Sequence, residues 1–206
     1  MLREDLATET GIAALRDRWT TGDHCIRIED VLAPDIVESL LDEVRKQPHS
    51  LIARAGLDIS FQYWTYAFVP DEECDHILCR LGRWLFHDAC TWLSKVTDMD
   101  LAPPPDNQVV ATHYTKGSHL STHNDFDGKR RVAFIFGLTH PDHIPTEPDG
   151  HLDLLTAQHS GIQIRQRRPP GWNSLDLFDV TGKAQLHRVN MLRTHAERRA
   201  FTGWFY

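Results

Sequence analysis

Apolar residues in the first half of the chain recur mostly at the spacing of an amphipathic helix. This spacing predicts helices over residues 2–18, 34–47 and 72–96. The middle helix has Pro34 in its first turn, where proline is tolerated, and ends at Pro48. Runs of β-branched and aromatic residues predict strands over 25–28 and 59–69. The first half is therefore expected to be mixed, with more helix than strand.

Beyond residue 107 the pattern changes to short β segments bounded by Gly, Pro and Asp. Strands are predicted over 107–115, 130–139, 150–156, 161–166, 174–180, 186–190 and 198–206. Such a series fits a sandwich or jelly roll better than an α/β layout. The proline-rich segment APPPDN is interpreted as a connection within one domain. We expect a single domain, residues 1–206, with a helix-rich supporting part (1–102) packed on one sheet of a jelly-roll core (103–206).

Composition and charge restrict the classes of function. The sequence is 41% hydrophobic and 25% charged, as in globular proteins, and its net charge of −7 argues against a nucleic-acid partner. No apolar run is long enough to cross a membrane, and the first ten residues are unlike a secretory signal. The cysteines form no CxxC pair, so we expect reduced thiols and a cytoplasmic location. The oligomeric state is left open.

Thirteen histidines suggest a metal site, but they also make histidine motifs common by chance. A facial triad of two histidines and one carboxylate leaves open positions on Fe(II). Its usual sequence form is His-x-Asp/Glu followed by a distant histidine, because residues i and i+2 at a strand end point to one side. Composition predicts about one His-x-Asp sequence by chance. The chain contains three, beginning at His123, His140 and His151.

Sequence context distinguishes the three motifs. The motif at residue 140 contains a proline and lies in a predicted loop. The motif at residue 151 opens a strand whose alternation predicts His151 and Asp153 as solvent-facing residues around a buried Leu152. The pair His123 and Asp125 follows a strand and a turn, and it alone has suitable partners far along the chain. This pair is therefore the preferred metal-ligand candidate.

Two residues near the C-terminus supply those partners. His187 follows a predicted strand and a Thr-Gly turn, and Arg198 comes eleven residues later. A planar guanidinium can bind the distal carboxylate of 2-oxoglutarate through two parallel hydrogen bonds. The order and spacing of His123, Asp125, His187 and Arg198 thus favour an iron site with a carboxylate-binding arginine.

Several segments of the second half resemble the prolyl 4-hydroxylase-like group of Fe(II)/2-oxoglutarate dioxygenases. The matching segments are YTKG, HND, RRVAFIFGLT, DGHLDLL, NSLDLF, HRV and RRAFTGWF. They are specific as an ensemble, although each one is short. The first half shows only a general likeness, in its strand–helix start HCIRIEDVLAPDIVESLLDEV.

The resemblance implies a double-stranded β-helix, with no catalytic residue beyond the metal ligands. It implies iron ligation by His123, Asp125 and His187, and it pairs Arg198 with the C5 carboxylate of 2-oxoglutarate. Tyr114 occupies the position of a tyrosine that often contacts the co-substrate. The strand AFIFGLT has Phe136 and Gly137 where some relatives carry another co-substrate tyrosine, so a second tyrosine contact is not expected.

The expected activity is hydroxylation of an unactivated C–H bond. The reaction would require Fe(II), consume 2-oxoglutarate and O2, and form succinate and CO2. Asp125 favours hydroxylation over halogenation, because a carboxylate fills the position that a halide needs. A small metabolite such as an amino acid is the favoured substrate, because the chain is compact and shows no peptide-binding extension. The alternative is a hydroxylase of a prolyl or other residue in a protein.

Two alternatives from other classes stay open. A non-catalytic jelly-roll protein that binds a metal or small ligand would be indicated by loss of a triad residue or of the arginine. A zinc hydrolase is a weaker alternative, because the chain has no HExxH motif.

Candidate substrate-pocket residues are Tyr63, Trp64, Tyr66 and the loop 140–150, each of which also suits ordinary core packing.

Strand alternation separates the adjacent Arg198 and Arg199. Side chains alternate between faces, so Arg198 shares a face with Ala200, Thr202 and Trp204. Small and polar neighbours suit a co-substrate cavity, whereas Arg199 shares its face with two phenylalanines, Phe201 and Phe205. We expect Arg198 to face the cavity and Arg199 to reach solvent at the end of a packed face.

Overall fold

Helices occupy much of the first half and strands dominate the second half in the computed structural model, which describes residues 1–145, 147–158, 161–182 and 185–206. The helices are α1 (Glu4–Ala7), α2 (Glu9–Thr21), α3 (Pro34–Lys46), α4 (Ile77–Trp84) and α5 (Cys90–Thr97), with a π-helical segment at Leu85–Ala89 and a 3-10 turn at Pro141–His143. The strands are β1 (Cys25–Glu29), β2 (Ser50–Ala55), β3 (Ser60–Phe68), β4 (Val109–Tyr114), β5 (His119–His123), β6 (Val132–Leu138), β7 (Leu152–Gln158), β8 (Gly161–Arg168), β9 (Trp172–Asp179), β10 (Leu186–Val189) and β11 (Arg198–Phe205).

The strands pair in an antiparallel sheet that folds over itself. Their order is β1-β9-β6-β11-β4-β3-β5-β10-β7-β8, with β2 added to the outer edge of β3. Strand β3 links the two halves of the sheet, because it pairs with β4 over Trp64–Phe68 and with β5 at Phe61 and Gln62. The larger sheet is thereby joined to a smaller one, β5-β10-β7-β8, and this arrangement confirms the predicted jelly roll.

Two apolar clusters fill the two sides of the larger sheet. The helices pack on its outer face, where Trp19, Leu40, Leu81, Phe201 and Phe205 belong to the main core. A smaller cluster lies between the sheets and includes residues of both, among them Tyr114, Leu154, Phe178 and Val189. The predicted packing of N-terminal helices on one sheet is therefore present in the structure.

Helix α3 shows why the predicted helices form. It begins at Pro34, whose fixed backbone suits a first turn, and it buries Val37, Leu40, Leu41 and Val44 on one stripe. None of the helices within the described ranges combines the length and apolar character that crossing a membrane requires.

Three local features differ from the sequence-based prediction. The predicted helix 2–18 is divided at Thr8, whose side chain caps α2 by accepting the Gly11 N–H. The predicted helix 72–96 starts only at Ile77 and contains the π-helical segment. Strands β2 and β5 were not predicted, because neither has a clear apolar–polar alternation. The missing β5 matters most, since it carries one of the candidate ligands.

Candidate metal centre and co-substrate pocket

A cavity between the two sheets contains most of the candidate site. Its volume is about 90 Å³, and it is partly open to solvent. His123, Asp125 and His187 line it together with Tyr114 and Arg198. The structure therefore brings all five predicted site residues around one space, although they come from widely separated parts of the sequence.

The two histidines reach the cavity from neighbouring strands. His123 ends β5, and His187 lies directly opposite it on β10 in the antiparallel register. Their ring centroids are 4.1 Å apart. The turn before β5 has Gly117 at φ +90°, a conformation that glycine adopts without strain. This turn starts β5 in the register that places His123 opposite His187.

Asp125 lies just beyond β5 and faces both imidazoles. Its Oδ1 is 3.4 Å from His123 Nε2, and its Oδ2 is 3.3 Å from His187 Nε2. One ligand atom from each residue lies within 4.8 Å of the other two, the only such three-residue group of metal-binding type in the described part of the chain. The arrangement has the donor set of a facial triad.

The protonation states also fit a metal ion. Burial alone would raise the pKa of Asp125, but its contacts with the His123 and His187 rings outweigh burial and hold this pKa well below its usual range. Burial lowers the pKa of His187, so its ring is neutral near pH 7. His123 Nδ1 lies 2.8 Å from the Ser121 carbonyl, to which it donates, and this leaves Nε2 as the metal-facing acceptor. An anionic Asp125 carboxylate and a neutral His187 ring are the states in which these two residues can bind Fe(II).

Arg198 is a buried cation that has no acidic partner among the residues that the structure describes. Its side chain donates from Nη1 to the Gly150 carbonyl at 2.9 Å, and the guanidinium carbon lies 5.9 Å from the Tyr114 ring centre. Within the described residues, no carboxylate lies within 4.0 Å of it, although the residue is only 4% exposed. Leaving such a charge unpaired is costly. An anionic ligand is therefore expected, and the distal carboxylate of 2-oxoglutarate has suitable chemistry.

Tyr114 and Tyr63 form a stacked pair in the cavity wall. Their ring centroids are 4.8 Å apart and the rings are nearly parallel, at 11°. Burial raises the pKa of both phenols, so each remains a neutral hydrogen-bond donor. Tyr63 was predicted as a substrate-pocket candidate, and the structure places it beside Tyr114 on the co-substrate side. A second tyrosine was not expected here, because AFIFGLT has none, but Tyr63 of β3 places a second phenol in the cavity wall.

The motif at residue 151 is used differently from its prediction. Asp153 was expected to face solvent, but it is fully buried and accepts hydrogen bonds from Arg167 and Arg188. His151 is also buried, and its Nδ1 contacts the backbone of Asp149. The prediction was wrong because the two arginines, which lie far away in sequence, give the carboxylate internal partners.

The two faces of β11 follow the predicted alternation in part. Arg198, Thr202 and Trp204 line the cavity, whereas Phe201 and Phe205 belong to the core beneath the helices. Arg199 does not reach solvent as expected. It is 9% exposed, and its Nε donates to Glu197 at 3.1 Å. The alternation predicted the face correctly. It could not predict that Glu197, two residues earlier, would bind Arg199 and keep its side chain from extending into solvent.

The remaining substrate-pocket candidates lie elsewhere. Trp64 is 36% exposed and is paired with His113, on the face of the sheet that looks away from the cavity. Tyr66 packs against the main core. The described part of loop 140–150 lines a separate surface depression with Thr194 and His195, and Thr146 lies outside the described residues.

Sequence reasoning gave no role to two residues beside the triad. Trp204 lines the cavity, and the guanidinium carbon of Arg130 lies 3.7 Å from the centre of its ring. The sequence did contain an indication for Trp204, because it lies on the same face of β11 as Arg198. Arg130 gave no such signal, because it lies in the turn between Asp125 and β6.

Known proteins resemble the chain in both sequence and fold. The family model described as the 2OG-Fe(II) oxygenase superfamily matches residues 109–206. Prolyl 3-hydroxylase OGFOD1 of Mus musculus is 29% identical over 189 residues, which are 89% of this chain and 32% of that protein. The chain thus spans about a third of the length of this relative.

Two solved structures share the fold. A Pseudomonas putida prolyl-4-hydroxylase superposes with a TM-score of 0.65 at 17% identity, covering 94% of this chain and 98% of that one. A Trichoplax adhaerens prolyl hydroxylase, solved with a hypoxia inducible factor peptide fragment, also has a TM-score of 0.65, at 14% identity and with 95% and 88% coverage. Together with the family match over the strands that carry the triad, these similarities show that the second half of the chain resembles the 2OG-Fe(II) oxygenase superfamily and that the whole chain shares the fold of these two structures.

Proposed function

We propose that the protein is an Fe(II)- and 2-oxoglutarate-dependent hydroxylase of a prolyl residue in a polypeptide. The observation that carries this proposal is the single cavity, in which a His-Asp-His group and an unpaired buried guanidinium face the same space. The first has the ligands for Fe(II), and the second has the charge for the co-substrate. The match of residues 109–206 to the 2OG-Fe(II) oxygenase superfamily gives these two features a common use.

The choice of substrate corrects the sequence-based expectation. A small-molecule substrate was favoured there, and this expectation is wrong. The mouse relative is named as a prolyl hydroxylase, a term for an enzyme that acts on proline within a chain, and the Trichoplax structure contains a peptide. These relatives support the alternative, a residue in a protein, for this chain as well.

The residues that line the cavity have different roles, according to their positions in it. When bound, Fe(II) and 2-oxoglutarate supply the oxidising chemistry, with succinate and CO2 as by-products. His123, Asp125 and His187 would hold the metal on one side of the cavity. Arg198 would bind the distal carboxylate of the co-substrate at the other side, with Tyr114 and Tyr63 as neutral donors beside it.

The metal side of the cavity is more exposed at His123 than at His187. The side chains of His123 and Asp125 are 13% and 10% exposed, whereas that of His187 is 6% exposed. A proline ring presented by a polypeptide can therefore approach from the His123 side. The apolar wall of the smaller sheet excludes water behind it.

The test is a survey of proline-containing peptides with the purified protein, Fe(II), 2-oxoglutarate and O2. Succinate release and a mass gain of one oxygen on proline are measured together. Each active peptide is repeated with alanine in place of proline, and free proline is assayed as the small-molecule comparison. His123→Ala is the inactive control, and His151→Ala is its matched counterpart outside the cavity.

We expect coupled succinate and hydroxyproline formation with a peptide or protein and none with free proline. Hydroxylation of another residue type in the same peptides would overturn the prolyl assignment. Failure of the protein to bind Fe(II) and 2-oxoglutarate anaerobically would overturn the whole proposal.

A further inference from the structure

The guanidinium of Arg198 is held by a neutral acceptor, the backbone carbonyl of Gly150. Among the described residues, the hydrogen bond from Arg198 Nη1 to this carbonyl, at 2.9 Å, is the only one that the guanidinium makes. A guanidinium carries several N–H donors in one plane, so this contact restricts its orientation and leaves the other donors free. Because a carbonyl has no net charge, the contact orients the cation without neutralising it.

Gly150 presents its carbonyl from a backbone conformation that suits glycine. Its φ is +60°, in the left-handed region. A Cβ at this position would lie 2.6 Å from Leu192 Cδ1, and Leu192 is fully buried. The backbone at residue 150 is therefore packed closely against the connection between β10 and β11, and a side chain there would force it to move.

The residue before Gly150 is a buried acid, Asp149, which is 4% exposed. Its Oδ1 accepts the Arg193 backbone N–H at 2.7 Å, and its Oδ2 accepts the Thr194 backbone N–H at 3.0 Å and the Thr194 hydroxyl at 2.6 Å. Burial would raise the pKa of Asp149, but these hydrogen bonds outweigh it and keep this pKa below its usual value. The ionised carboxylate thus fastens residue 149 to the segment that leads into Arg198.

We infer that Asp149 is a positioning residue for the co-substrate: it fixes the Gly150 carbonyl, and this carbonyl orients the Arg198 guanidinium so that its other N–H groups face the cavity. The inference rests on the proposed binding of 2-oxoglutarate by Arg198. Two parallel N–H groups can bind both oxygens of a carboxylate only when the guanidinium is correctly oriented. The oxygens of Asp149 are occupied by donors of residues 193 and 194, so the charge of Arg198 stays available for the ligand.

The test compares two 2-oxo acids that differ only at C5. 2-Oxoglutarate has a carboxylate there and 2-oxopentanoate has a methyl group, while both have the same 2-oxo carboxylate. Each acid is titrated anaerobically into the full chain loaded with Fe(II), and the visible charge-transfer band measures its binding.

Asp149→Asn is the main variant, because it keeps the shape of the side chain but turns an amide donor toward the N–H groups of residues 193 and 194. Asp142→Asn is the matched control: it removes the same charge from the same surface depression, where the Asp142 side chain is 85% exposed. We expect Asp149→Asn to weaken 2-oxoglutarate binding about 10-fold and to leave 2-oxopentanoate binding within about 2-fold. The control should change neither affinity.

A double-mutant cycle tests whether Asp149 acts through Arg198. In the Arg198→Ala background, Asp149→Asn should have no further effect on 2-oxoglutarate affinity, since no guanidinium is left to orient. Thr194→Val removes only the hydroxyl donor to Asp149 and should weaken 2-oxoglutarate binding in the same selective way, but less. This milder variant keeps the inference testable if Asp149→Asn does not fold.

Three results would overturn the inference. Equal losses for the two acids would make Asp149 a general support of the loop. Unchanged 2-oxoglutarate affinity in Asp149→Asn, or the same loss with and without Arg198, would remove the link to the guanidinium. If the wild type bound both acids equally, the proposed role of Arg198 would fail first and this inference with it, whereas failure of the variants alone leaves the proposed function intact.

Discussion

The His123–Asp125 and His151–Asp153 pairs lie on the two neighbours of β10, yet they have opposite surroundings. Asp125 faces two imidazoles on the cavity side of the smaller sheet. Asp153 is paired with Arg188 of β10 on the other side and also accepts from Arg167. The same three-residue spacing therefore produces a ligand group in one place and a closed ion-pair cluster in the other.

The partners of the carboxylate explain the difference. An imidazole can present a lone pair to a metal once its other nitrogen is hydrogen-bonded, as His123 does with Ser121. A guanidinium is always protonated and has only donors, so two of them occupy the oxygens of Asp153 permanently. A His-x-Asp motif is thus a candidate metal site only where no arginine side chain is paired with its carboxylate.

The largest expected effect separates the two motifs directly. His123→Ala, Asp125→Ala and His187→Ala should each weaken Fe(II) binding more than about 100-fold, beyond the loss usual for second-sphere residues. His151→Ala and Asp153→Ala should leave the affinity within a few-fold, as should changes at His140 and Asp142. Anaerobic titration of Fe(II) with 2-oxoglutarate, followed by the visible charge-transfer band, measures this. Loss of binding in His151→Ala with retention in His123→Ala would reverse the comparison.

The second effect contrasts an unpaired arginine with a paired one. Arg198→Ala should raise the 2-oxoglutarate requirement by about 10-fold or more, as removal of hydrogen bonds to a charged group predicts. Arg199→Ala should change it little, because Arg199 is paired with Glu197 outside the cavity. Titration of 2-oxoglutarate at saturating Fe(II) gives both values. The opposite ranking would mean that the inward face of β11 is wrongly assigned.

A third effect concerns stability. Asp153→Ala should lower the free energy of unfolding by about 2 kcal/mol, because it leaves Arg167 and Arg188 without their buried acceptor. The loss is moderate, since both arginine side chains are about a third exposed and can turn to water. Urea denaturation measures it, and the affinity for Fe(II) serves as the control. A variant with normal stability but no metal binding would refute the structural role of Asp153.

The smallest effect is a pH dependence. Burial would raise the pKa of Asp153, but interactions with Arg167, Asn190 and Arg188 outweigh it and lower this pKa to about 2, from 3.8. Because the folded-state value is the lower one, the carboxylate stabilises the fold above about pH 4 and loses this effect as pH falls toward about 2. The stability difference between wild type and Asp153→Asn should therefore be constant near pH 6 and shrink, by about 1 kcal/mol, below pH 4. A difference independent of pH in acid-denaturation curves would contradict this.

Local patterns predicted much of this fold but not its polar strands. Alternation and turn residues predicted β6, β7, β9 and β11, and parity along β11 placed Arg198 on the cavity side. The polar segment HLSTH of β5 has no apolar face, and it becomes a strand because β3 and β10 pair with it. Burial of Asp153 depends on arginines 14 and 35 residues away, which no local pattern reveals.

The register of β5 and β10 also has a consequence for how the protein folds. His123 and His187 are directly paired across these strands, but the chain between them runs through β6, β7, β8 and β9. Pairing of such distant segments is slow compared with helix formation, because the loop must close before any contact rewards it. The ability to bind a metal should therefore appear late in refolding, after the helical signal in circular dichroism. Binding of Co(II) during refolding would then indicate that the jelly roll is complete, and not only that the chain has become compact.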